Sequence, residues 1–212
     1  MDFAKLFKSV EDAVYEVMVW LLLLPKTLIQ TAVRPKWAME YIDKEWEKKP
    51  DERFDEYLSP VMLWLLSAVI PLTLAFIVSR PDIESAQDFL KALSNDIYST
   101  TLYMMLVPFV YIVGVEWLNK TPVKRSSLKI SFYRHCYALA PAQVLTVIFS
   151  GVSVISPLML FAVLLVIPFY EAFVYQMELK IGFGRAFLYA LIPQVFLTVV
   201  FLGILGTLLP AT

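Results

Sequence analysis

The stretch VIPFYEAFVYQM, Val166 to Met177, decides how this chain is read. It lies in a longer apolar run from about Pro157, with the composition of a helix bathed in lipid. Yet it carries Pro168 and, three residues on, Glu171. A proline removes a helical hydrogen bond. A carboxylate at the centre of a membrane helix costs roughly 2.5–3.5 kcal/mol on insertion scales, and less nearer the interface. An ionised Glu171 in such a segment therefore needs a partner or water.

The rest of the chain supports the lipid setting. Of 212 residues, 59% are hydrophobic and 17% charged, and the mean hydropathy is +0.67. Soluble domains are nearer half apolar and a quarter charged, so composition points to a membrane protein. A net charge of −1 gives no reason to expect a nucleic-acid partner. Cys136 and His135 are the only cysteine and histidine. An intrachain disulfide and a Cys/His zinc site are thereby excluded. The first residues are mixed in charge, and Pro25 follows the apolar run without a small-residue cleavage pattern, so no cleavable signal peptide is expected.

Five segments have the ~20 mostly apolar residues that a transmembrane helix needs. They run over roughly Leu58–Ser79, Tyr98–Leu118, Phe132–Ile155, Pro157–Met177 and Ala186–Leu209. Each has a proline in its interior: Pro71, Pro108, Pro141, Pro168 and Pro193. Lys and Arg before, between and after these segments number nine, two, five, zero, two and zero, with Arg134 at the start of the third span counted in the connection before it. Basic residues favour cytoplasmic connections. The alternation fits five spans with the N-terminus in the cytoplasm and the C-terminus outside.

Residues 1–57 form a separate region. Phe3, Leu6, Phe7, Val10, Val14, Val17, Met18 and Leu21 share one helical face, and most charges lie off it. This is an amphipathic period. The continuous apolar run Val17–Leu24 is too short to span, so a helix over about Asp2–Leu24 is expected to lie along the cytoplasmic interface. A helix packed under the bundle and a sixth span are the alternatives. The run DKEWEKKPDERFDE, Asp43 to Glu56, has eleven charged residues in fourteen. Such a run reads as a solvated linker, with Trp37, Tyr41 and Trp46 at headgroup level. The expected fold is thus an all-α polytopic membrane bundle: five transmembrane helices over 58–212, preceded by an N-terminal amphipathic interfacial helix within 1–57.

With this topology the ionisable groups near the spans gather at the cytoplasmic side. Glu171, Arg134, His135 and Glu116 form the candidate polar cluster. Glu171 is expected to face the bundle, with its neighbour on the third span near Arg134 or His135, or on the second near Glu116. It is either half of an interhelical pair or a carboxylate in a cytoplasm-facing transport cavity. P-loop, dinucleotide-glycine and HExxH signatures are absent. KIGFGR, Lys180 to Arg185, is too short a loop to hold a nucleotide. No catalytic, cofactor-binding or metal-binding residue is assigned, and no cofactor is expected.

Three stretches carry a family resemblance. LPKTLIQTAVRPKWAMEYI (Leu24 to Ile42), SFYRHCYALAPAQVLTVI (Ser131 to Ile148) and YQMELKIGFGRAFLYALIPQVFLTVVF (Tyr175 to Phe201) resemble the opening, third span and end of the Yip1-domain family. The resemblance covers about 24–208 and rests on apolar pattern and prolines. It implies a non-enzymatic five-span protein that acts through protein partners or on membrane organisation, with the bilayer and a protein partner or a second copy of itself as its partners. The short N-terminal region implies a prokaryotic inner-membrane relative. The alternative function is a small transporter or channel with Glu171 in its path.

Overall fold

The computed structural model describes residues 3–79, 87, 106–119, 124–153 and 157–208. Among these the chain is all-helical. Seven α-helices are α1 Phe3–Val33, α2 Pro35–Glu47, α3 Pro60–Ser79, α4 Leu106–Asn119, α5 Arg125–Ser153, α6 Pro157–Leu179 and α7 Phe183–Leu208, with a 3₁₀ turn at Pro50–Glu52. The start of the second expected span, 98–105, the junction 154–156 and Leu209 lie outside the described residues.

Proline marks several helix starts. Pro35, Pro60 and Pro157 open α2, α3 and α6, where the missing N–H would lack an intrahelical partner in any case. Pro25, Pro71, Pro141, Pro168 and Pro193 lie inside helices. The helix expected to end at Leu24 continues through Pro25 to Val33. Packing explains this: Leu23, Leu24 and Leu28 sit on the core and Thr27 and Thr31 are buried, so tertiary contacts outweigh the lost hydrogen bond. Among the described residues two stretches are long and apolar enough to cross a membrane by length and composition, Lys8–Val33 in α1 and Phe183–Val200 in α7, so that of the five expected spans only the last is one of them. The first exists because α1 is longer than the sequence led us to expect.

Helix α5 is central. It packs on α3 and α6, α6 packs on α7, and α1 and α2 lie against α5. Helix α2 covers the end of the bundle where α3 and α5 begin and α6 finishes. Its Ala38, Met39, Tyr41 and Ile42 join the same hydrophobic cluster as Leu63 of α3, Leu139 of α5 and Val174 of α6. The boundary at residue 57 therefore falls within one continuous core. Leu58, just before α3, is tied on both sides. Its amide donates to Thr27 Oγ1 (3.1 Å), and its carbonyl accepts from Tyr137 Oη (2.6 Å).

The charged run is not simply solvated. Trp37 stacks on Tyr41 with ring centroids 5.0 Å apart, and Trp46 meets Tyr133 of α5 edge-on at 5.6 Å. Trp46 on Tyr133, and Tyr41 stacked on Tyr137 at 6.5 Å, pack α2 onto α5.

Candidate functional site

Consecutive residues on a helix point about 100° apart, so Arg134 and His135 face different surroundings. His135 faces inward. Its Nδ1 shares a 2.6 Å hydrogen bond with Glu171 Oε2, and both side chains are 0% exposed. Cys136, Ala138 and Leu139 of α5 and Ala172 and Val174 of α6 belong to the same buried cluster. The second polar atoms, His135 Nε2 and Glu171 Oε1, have no hydrogen-bond partner among the described residues.

Two tyrosines close the inner side. The His135 ring centroid lies 6.2 Å from that of Tyr111 and 6.4 Å from that of Tyr175. Tyr175 Oη donates to the Tyr111 carbonyl (3.0 Å), and Tyr111 Oη donates to Gln194 Oε1 on α7 (2.9 Å). Gly114 makes this approach possible: a Cβ there would collide with Tyr175 Oη and stand 3.0 Å from Pro193 Cγ. Helices α4, α5, α6 and α7 thus meet around one enclosed polar cluster.

Arg134 turns toward α2. Its guanidinium bonds Asp43 Oδ1 (2.5 Å) and Glu178 Oε1 (3.0 Å), clamping α2 and the end of α6 to α5. Charge-assisted bonds to two carboxylates use the fixed fork of arginine. Glu116 is half-buried on α4 and belongs to neither the His135–Glu171 pair nor the Arg134 clamp. The structure thus joins His135 to Glu171 and places Arg134 and Glu116 elsewhere.

The sequence did not single out Asp43, Glu45, Tyr111, Tyr175 or Gln194. Glu45 is the least expected: it lies in the charged run yet is only 2% exposed. Its carboxylate accepts from Lys48 Nζ (2.6 Å) and from the Phe54 amide (2.7 Å). Phe54 has φ 64°, a left-handed conformation uncommon outside glycine, and its bond to Glu45 holds that turn. Burial by itself pushes the Glu45 carboxyl up, but the Lys48 ammonium and the Phe54 amide together outweigh it and hold the group below the ordinary carboxylate value. Burial, then the nearby Glu45 charge, pushes the Tyr41 phenol well above its usual range. Ala38, Tyr41, Ile42 and Glu45 follow helical spacing, and that periodicity running into the charged run was the available signal.

A histidine–carboxylate pair is capable of proton transfer. Here both groups are enclosed, and the hydrogen bond between them joins α5 to α6. Among the described residues no group of three or more His, Cys, Asp or Glu side chains is placed to hold a metal ion. The sequence matches no family model, and no curated protein or solved structure is significantly similar to it.

Proposed function

We propose that this chain is a five-span membrane protein, N-terminus inside and C-terminus outside, which acts on the bilayer and on protein partners rather than by moving a solute. The observation that carries the reading is an inverted distribution of polarity. Glu171, His135, Tyr111 and Tyr175 are buried, while Leu188, Ile192, Val195, Phe196 and Val199 of α7 are each more than half exposed. Phe109 and Trp117 of α4 are exposed as well. Soluble monomers rarely present contiguous apolar surface of this kind; a bilayer solvates it. Intramembrane ionisable groups, by contrast, turn toward the bundle and pair.

The tight Glu171–His135 contact supports a structural role for the carboxylate over a transport role, because a solute path would keep that carboxylate accessible. The amphipathic face of α1 supports action at the membrane surface: Val10, Val14, Met18 and Leu21 are each more than half exposed. In this reading the protein is a prokaryotic inner-membrane relative of the Yip1-domain proteins. The motifs at Leu24 to Ile42, Ser131 to Ile148 and Tyr175 to Phe201 support that likeness. The test is reconstitution into liposomes after membrane isolation. The protein is expected to resist alkaline extraction and to give no pH-driven solute flux above empty vesicles. A flux abolished by Glu171→Gln would replace this reading with the transporter.

A further inference from the structure

Two clefts lie on one face of α6. The first is a cavity of about 190 Å³ between α2 and α6, lined by Lys36, Met39, Glu40, Phe173, Gln176 and Met177. The second, about 350 Å³, is lined by Leu145 of α5 and by Leu165, Val166, Phe169 and Tyr170 of α6. At 3.6 residues per turn, the α6 residues of both clefts fall within about 140° around the helix. From Leu165 to Met177 they extend about 18 Å along it, close to one leaflet of a hydrocarbon core about 30 Å thick. Phe169 and Phe173, with ring centroids 5.7 Å apart, bridge the two.

The two clefts differ in chemistry. The lower one is apolar apart from the Tyr170 hydroxyl, which is already used: Tyr170 Oη donates to the Ala32 carbonyl (3.1 Å) at the end of α1. That bond fixes the α1–α2 corner beside the groove. The upper cleft has one cation, one anion and an amide at its rim. Lys36 and Glu40 are one turn apart on α2, both exposed, and no hydrogen bond or ion pair joins them.

The geometry points to a phospholipid site along this face of α6, specific for a zwitterionic headgroup bearing a primary ammonium. Lys36 takes the phosphate. Glu40 and the Gln176 amide oxygen accept from the ammonium. One acyl chain runs over Phe173 and Phe169 into the cleft at Val166 and Leu145. An ethanolamine phospholipid satisfies both charges. A choline headgroup has no N–H to donate to Glu40, and a glycerol headgroup leaves Glu40 without a counter-charge. The site rests on the bilayer reading above and adds a ligand class to it.

The experiment uses the full chain in nanodiscs with phosphatidylethanolamine carrying a diazirine midway along one acyl chain. The same tag on phosphatidylcholine and phosphatidylglycerol provides the comparison. Photolabelling is expected at 165–173 with the ethanolamine lipid. Lys36→Ala and Glu40→Ala should each lower it about tenfold, the loss of one charge-assisted hydrogen bond. Both side chains are exposed, so neither change should unfold the chain, and unaltered thermal unfolding verifies this. Equal labelling by all three lipids, or labelling that the two variants leave unchanged, overturns the site. Labelling confined to the outer row of α7 at 188–199 overturns the site and leaves the bilayer reading standing. An absence of labelling anywhere overturns both.

Discussion

His135 Nδ1 and Glu171 Oε2 stand 2.6 Å apart between two helices, and neither side chain is exposed. A buried pair of this kind contributes little net stability while intact, and removing one member destabilises because the other is left without its counterpart. Glu171→Leu should therefore lower stability in detergent by about 0.6–2 kcal/mol, the range for interhelical polar contacts in membranes. Glu171→Gln, which keeps a hydrogen bond to His135, should lower it less. The double change His135→Phe with Glu171→Leu should recover part of the loss. Thermal unfolding of the parent, His135→Phe, Glu171→Leu and the double variant checks this as a double-mutant cycle, and additive losses would show that the pair is not coupled.

The Arg134 clamp predicts a local effect. Arg134→Lys cannot hold Asp43 and Glu178 together with a fork, since an ammonium is a point donor. Protection of α2 from hydrogen exchange should fall while that of α6 around Val174 is retained. Uniform loss across the chain would mean that Arg134 supports the whole bundle rather than the α2 contact.

Gly114 is small because Tyr175 needs the space. Gly114→Ala is expected to destabilise by about 1–3 kcal/mol, the usual overpacking penalty. Adding Tyr175→Phe should relieve most of it, because the nearest atom becomes Pro193 Cγ at 3.0 Å rather than the colliding hydroxyl. Unfolding midpoints of the single and double variants test this. A double variant no better than Gly114→Ala would place the strain elsewhere.

Glu45 gives the chain an acid-sensitive turn. Its carboxyl is held below the ordinary value, so its contribution is full above the unfolded carboxylate pKa of about 4.3 and is lost as pH falls through the lower folded value. Glu45→Ala should cost about 1–3 kcal/mol at neutral pH by leaving the Phe54 amide unpaired. The gap from the parent protein should narrow below about pH 4. Stability measured from pH 7 to pH 3 checks both statements, and a gap that widens on acidification would contradict the sign.

How far these features were legible follows from how each is encoded. Hydropathy pointed to an all-helical chain, and the energetic penalty on an isolated carboxylate turned Glu171 toward the bundle. Which neighbour it meets was not legible: Arg134 and His135 are adjacent in sequence, and helix rotation decides between them. Glu45 was hidden because eleven charges in fourteen residues mask the apolar stripe of Ala38, Tyr41 and Ile42 that continues into it. The length of α1 was misjudged at Pro25, where packing of Leu24 and Leu28 outweighs a local breaking signal. Tyr111 and Gln194 come together from α4 and α7 across 83 positions of sequence, a contact that no local pattern carries.

The central claim is the membrane-embedded arrangement, and sidedness tests it most directly. Cys136 is buried, and Cys136→Ala provides a background free of thiols. On it, Ser9→Cys and Thr212→Cys report the two ends to a membrane-impermeant maleimide in intact cells and in inverted vesicles. The account predicts that residue 9 is labelled only from the cytoplasmic face and residue 212 only from the outer face. Labelling of both positions from the cytoplasmic face alone, or release of the protein from the membrane by alkaline washing, would contradict it.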